Sequence, residues 1–103
     1  MMEKAFSITA LKKIINHLLE EKEHIRLYLF GSALTCNNPT DIDILVTYDS
    51  YKISVEKIIE FRKKMKSEIR AEIGKEADIC LLSLKEEERV RFIESEHCSQ
   101  ILF

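Results

Sequence analysis

The sequence predicts a small two-layer α+β domain, on three observations. Apolar residues recur at helical spacing in two separate stretches, and short aliphatic and aromatic runs of strand length lie around them. The resulting order, helix, strand, strand, helix, strand, helix, holds no internal repeat and no linker, which points to one layer of helices on one sheet.

Each element has its own signal. Ile8, Leu11, Ile14, Ile15, Leu18 and Leu19 fall at three- and four-residue steps, predicting an amphipathic helix over 8–22 whose apolar stripe needs a sheet to cover. Residues 25–30, IRLYLF, form a first strand ended by Gly31, one of only two glycines. Ser32 then leads into a short helical turn, SAL. A second strand covers 40–48, TDIDILVTY, with Pro39 just ahead of it, where a missing amide donor does least harm. Val55, Ile58, Ile59, Met65, Ile69 and Ile73 mark a long helix, and Gly74 sits where helices commonly end in a left-handed residue. Residues 77–82, ADICLL, make a third strand. Ser83 with Glu86 three residues on fits a capping box for a last helix over 84–96, leaving QILF as a short edge strand.

Composition narrows the function classes. With 46% hydrophobic and 33% charged residues, two Gly and one Pro, the chain reads as ordered and globular, a single domain over 1–103. A formal charge of −2 gives no global attraction to nucleic acid or to an anionic membrane. The start, MMEKAFSITALKK, lacks a basic stretch followed by an apolar run, and no apolar segment approaches the ~20 residues that span a bilayer. A soluble, cytoplasmic protein without membrane contact is expected. Cys36, Cys80 and Cys98 are odd in number and form no C-x-x-C pair, which suits reduced thiols acting as small buried hydrophobes.

The chemistry concentrates in FGSALTCNNPTDIDILV, residues 30–46. Side chains alternate along a strand, so Asp41 and Asp43 point one way while Ile42, Ile44 and Val46 point the other. Taken alone, Asp41 is a turn residue after Pro39 and Thr40, and Asp78 a cap or a surface partner for Lys75. Asp43 resists such readings, because it interrupts an apolar strand with an acid. Asp78 lies at the matching early position of the third strand, and if the two strands are close, three carboxylates converge. Like charges at such range raise one another's pKa, and the arrangement makes sense chiefly around a divalent cation; oxygen donors suit Mg²⁺ or Mn²⁺ and argue against zinc. A glycine at a strand end lets backbone amides approach a ligand, and Ser32 adds a hydroxyl suited to phosphate oxygens.

Phe30, Gly31 and Ser32, eight further residues, Asp41-Ile42-Asp43-Ile44 and then Asp78 together resemble the nucleotidyltransferase superfamily typified by DNA polymerase beta, and most closely its minimal stand-alone members. The resemblance spans residues 8–103. It implies a two-layer nucleotidyltransferase fold, a small mixed sheet covered on one face by helices. It implies nucleotidyl transfer with two Mg²⁺ ions, Mn²⁺ substituting, from a nucleoside triphosphate, with ATP expected, to a hydroxyl of a protein or RNA. Asp41, Asp43 and Asp78 would be the catalytic and metal-holding residues, and Gly31 and Ser32 would grip the phosphates. It also implies a partner subunit such as the HEPN-type helical proteins that pair with minimal nucleotidyltransferases in toxin-antitoxin systems. The loop ALTCNNPT, residues 33–40, carries no basic residue where many members have one, so phosphate charge falls to the metals, to helix amides or to a residue elsewhere.

Two other classes compete. A phosphatase using Asp-x-Asp places its acids where an apolar strand ends, whereas here the apolar run follows them. A binding subunit of the same fold, an antitoxin or regulator docking on a partner, is favoured by the missing loop cation and disfavoured by the intact acids. The basic cluster RKKMK, residues 62–66, reads first as a solvated helix face and second as a contact for RNA or an acidic partner. His17, His24 and His97 lack metal-ligand spacing, and Tyr48 and Tyr51 read as half-exposed aromatics before base-stacking ones.

Overall fold

The computed structural model describes residues 7–19, 22–36 and 38–103. Ser7 accepts a hydrogen bond from the Ala10 amide at 3.3 Å and so caps α1 (Ile8–Leu18), which buries Leu11, Ile14 and Ile15. This helix stops short of the expected 22. Leu19 takes extended dihedrals that turn its side chain into the core, residues 20 and 21 lie outside the described ones, and Lys22–His24 form a 3₁₀ turn. Periodicity alone could not find that end, since Leu18 and Leu19 are both apolar.

The sheet follows from β1 (Ile25–Phe30), β2 (Asp41–Tyr48), β3 (Glu76–Ser83) and β4 (Ser99–Ile101). Its order is β3-β2-β1-β4; β1 is antiparallel to β2 and β4, and β2 runs parallel to β3, so the sheet is mixed. A parallel pair needs a long crossover, supplied here by α3 (Val55–Glu72). Ser54 caps α3 at its start, and Gly74, at φ +76°, ends it by donating its amide to the Ile69 and Arg70 carbonyls. On one face of the sheet Ile25, Leu27, Leu29, Ile42, Ile44, Val46, Ala77, Ile79 and Ile101 meet the apolar stripe of α1 together with Ile58, Phe61, Met65 and Ile69 of α3. That layer is the core of the α+β fold. Among the described residues no helix is long and apolar enough to cross a membrane.

Between β3 and β4 the chain departs from expectation. The Ser83–Glu86 capping box forms, with the Glu86 amide 3.2 Å from Ser83 Oγ and the Ser83 amide 2.9 Å from Glu86 Oε1. The expected single helix over 84–96 is two pieces, α4 (Leu84–Val90) and α5 (Phe92–Ser95), broken at Arg91 in the left-handed region at φ 51°. Glu87 holds the break by accepting the amides of Phe92 at 3.1 Å and Ile93 at 3.3 Å. The break turns Phe92 onto the second face of the sheet.

Thr47, 1% exposed, carries a hydroxyl with no hydrogen-bond partner among the described residues. An orphaned buried hydroxyl costs about 1–3 kcal/mol of desolvation, and valine keeps the branched shape without it. Thr47→Val is therefore expected to stabilise the protein by about 1 kcal/mol in denaturant unfolding; a loss of stability would mean the hydroxyl is bonded.

Candidate active site

The second face of the sheet, away from α1 and α3, carries the acids. Alternation along β2 sends Asp41 and Asp43 to this face while Ile42, Ile44 and Val46 enter the core. The parallel ladder then sets Asp43 directly beside Asp78, and Asp41 beside Glu76. Across the antiparallel ladder Asp43 faces Phe30, so Phe30, Asp43 and Asp78 form one row over three strands. Asp41 and Asp78 are exposed; Asp43, in the middle strand, is half-buried. Burial first, then the charges of Asp78 and Asp41, push the Asp43 carboxyl above its usual range.

Gly31 closes the row at the end of β1. At φ 68° and ψ −144° it occupies a region open essentially to glycine, and a Cβ there would lie 2.5 Å from Asp43 Oδ2. The chain then enters α2 (Ser32–Thr35), and Ser32 Oγ donates to the Asp41 carbonyl at 3.4 Å, closing the loop back to the start of β2. Pro39 in this loop is fully buried. The structure thus gathers Gly31, Ser32, Asp41, Asp43 and Asp78 at one end of one sheet face.

Other residues around the acids were not anticipated. Phe92 meets Phe30 edge to face, ring centres 5.0 Å apart and planes at 82°, an apolar wall next to Asp43. Cys80 follows Asp78 on the same face, a placement that the alternation of β3 already contained. Desolvation by the neighbouring side chains, then the charges of Asp43 and Asp78, push its thiol up, with Arg62 pulling the other way. The expectation of buried cysteines fails for two of the three: Cys36 and Cys80 are exposed, and only Cys98 is half-buried, its thiol pushed up to about 11 chiefly by burial. All three are free thiols. Lys75, an expected surface partner for Asp78, donates instead to Asn38 Oδ1 at 2.6 Å.

The weaker candidates settle elsewhere. Tyr48 is buried, and exposed Tyr51 lies beyond the opposite end of β2 under the Lys85 ammonium, 4.6 Å from its ring centre. In RKKMK, Met65 enters the core while Lys63, Lys64 and Lys66 stay exposed, Lys64 near Glu60 at 3.7 Å.

The family model described as polymerase beta, nucleotidyltransferase matches residues 12–100 of the chain. The chain belongs to this family. No curated protein matches it. Membership brings a nucleotidyltransferase-type function in general terms, and the family is typically metal-dependent. In this nucleotidyltransferase domain the donors available to a cation are hard carboxylate oxygens on one sheet face, a chemistry that fits Mg²⁺ or Mn²⁺. They are placed near one another without being drawn into a shell: among the described residues no three His, Cys, Asp or Glu side chains form a ready-made metal-binding group. Burial first, and then the like charges of Asp78 and Asp41, hold the Asp43 carboxyl above its usual range in the absence of a cation.

Proposed function

We propose that the domain transfers a nucleoside monophosphate from a nucleoside triphosphate, ATP as the first choice, to a hydroxyl of a protein or RNA. The observation that carries the reading is the in-register pairing of Asp43 with Asp78, on the face where Asp41 also points and where Gly31 abuts the Asp43 carboxylate. In the reaction an acceptor oxygen bonds to the α-phosphorus, the bond to the bridging oxygen of the β-phosphate breaks, and pyrophosphate leaves. Gly31 brings backbone close to the phosphates without a side chain in the way, and the Ser32 hydroxyl offers a donor to them. Asp41, Asp43 and Asp78 are the residues that would hold divalent cations, Mg²⁺ or Mn²⁺, which when bound supply charge neutralisation at the phosphate and acceptor oxygens. Asp78, exposed at the edge strand, would take the acceptor proton. Phe30 and Phe92 limit water on one side of Asp43. Three free thiols and a triphosphate substrate agree with a cytoplasmic setting.

ATP labelled at the α- or the γ-phosphate, incubated with the protein, Mg²⁺ and a cell extract, tests the reading. Label on protein or RNA from the α position alone supports nucleotidyl transfer; label from the γ position indicates phosphoryl transfer and contradicts it. Ser32→Ala is expected to weaken ATP binding several-fold while leaving the fold intact, because the residue is exposed and only a long bond ties it to Asp41. Titration calorimetry checks this, and an unchanged dissociation constant would count against Ser32 as a phosphate contact.

One observation favours a second reading. No lysine or arginine lies between Gly31 and Asp41, and a regulatory or antitoxin subunit that docks on a HEPN-type helical partner would need none. That reading predicts a stable complex with such a partner and no label transfer by either protein.

A further inference from the structure

The geometry points to Lys75 as a positioning residue for the nucleotide, acting through Asn38 on the loop that joins Gly31 and Ser32 to Asp41; the inference rests on the nucleotide-transfer reading above. This loop belongs to the candidate site at both ends, beginning at the turn proposed to hold phosphate and ending at the first of the acids. It is fastened at its base by Ser32 Oγ on the Asp41 carbonyl at 3.4 Å, and partway along by the buried ring of Pro39. A further bond joins it to the residue just ahead of β3, where Asp78 sits: Lys75 donates to Asn38 Oδ1 at 2.6 Å, half-buried and between residues 37 apart in sequence.

Lys75 is itself fixed from both sides. Before it, Gly74 turns the chain out of α3 through its left-handed dihedrals and its bonds to Ile69 and Arg70. After it, Glu76 enters the ladder opposite Asp41. The ammonium therefore reaches the loop from a rigid corner, three residues ahead of Asp78. A hydrogen bond with a charged donor is roughly twice as strong as a neutral one, and partial burial shields it from competing water. With the strand ladders fixing Asp43 beside Asp78, this bond holds the loop between the phosphate turn and Asp41 against the corner that leads to Asp78. Without it, binding a triphosphate would have to order the loop first, and affinity falls by that cost.

ATP binding with Mg²⁺, measured by calorimetry on wild type, Lys75→Met, Asn38→Ala, the double variant and Lys75→Arg, tests the inference, with metal-free melts run alongside. Lys75→Met and Asn38→Ala are each expected to bind ATP about tenfold more weakly, with only the small fall in melting temperature that loss of one bond brings. The double variant should be no worse than either single one, the mark of two residues acting through one bond, and Lys75→Arg, which keeps a charged donor, should recover most of the affinity. Should Lys75→Met fail to fold, Asn38→Ala carries the same comparison. Wild-type affinity in Lys75→Met and Asn38→Ala overturns the inference alone. Loss in Lys75→Met with none in Asn38→Ala also overturns it, because Lys75 would then touch phosphate directly. No ATP binding by wild type overturns the nucleotide-transfer reading together with it.

Discussion

Asp78→Asn is expected to melt, without metal, at the same temperature as wild type or higher, and yet to lose transfer activity by about two orders of magnitude or more. Most substitutions destabilise, so an unharmed fold here is informative. Asp78 is exposed on an edge strand, and the amide keeps its shape, so little packing is at stake. Removing its charge relieves the half-buried Asp43 beside it, which bears the repulsion of both neighbours. Mg²⁺ with ATP should then raise the melting temperature of wild type, since a ligand that binds only the folded state adds ~2.7 kcal/mol at a hundredfold excess over its dissociation constant. The variant should gain much less. If it is clearly destabilised without metal and responds to ligand as wild type does, Asp78 is structural.

Burial of Asp43, with the same repulsion added to it, fixes a pH dependence. The Asp43 carboxyl is raised in the fold from an ordinary 3.8, so between that value and the raised one the folded chain holds more protons than the unfolded chain. Metal-free stability contributed by this group therefore increases as pH falls through that window, and the penalty is fully present only above it. Salt-bridged aspartates behave the opposite way. Melts across the acid range, wild type against Asp43→Asn, isolate the contribution; the variant should lack it.

Gly31→Ala is expected to be the most damaging single change in the turn of Gly31 and Ser32. Its backbone lies where an L-residue is strained by about 1–3 kcal/mol, and the added methyl would sit 2.5 Å from Asp43 Oδ2. The carboxylate must give way on the Gly31 side and leave its present position beside Asp78, so ATP-dependent stabilisation and activity should both collapse while the protein stays folded but weaker. Denaturant unfolding and the ligand-induced melting shift measure the two parts. A variant of wild-type stability with a wild-type shift would show that the close approach of Gly31 to Asp43 serves no purpose.

The sequence made some of this legible and hid the rest for physical reasons. Helical spacing located α1 and α3, and the period of two in DIDILV told which side chains of β2 face the core, because burial selects residue types at fixed periods. Register has no such trace. That Asp78 stands beside Asp43, and Glu76 beside Asp41, depends on the whole crossover through α3, which no local pattern records. The break at Arg91 was invisible because a non-glycine residue takes the left-handed position, held by Glu87 carboxylate bonds, and with it went the wall of Phe30 and Phe92. The Lys75–Asn38 bond joins two loop residues, where neither period applies. Cys80 is readable, two positions after Asp78 on the same strand, but its residue type points to the core, where free cysteine is so often found.

Nucleotidyl transfer by this domain requires the three acids to form one site. Mn²⁺ binding in the presence of ATP, followed by electron paramagnetic resonance for wild type and for Asp41→Asn, Asp43→Asn and Asp78→Asn, measures this most directly. The expected result is ATP-dependent Mn²⁺ binding by wild type that drops sharply in each of the three variants, with all four proteins folded by circular dichroism. Binding that survives intact in Asp78→Asn or Asp41→Asn would contradict a shared site, and with it the proposed chemistry.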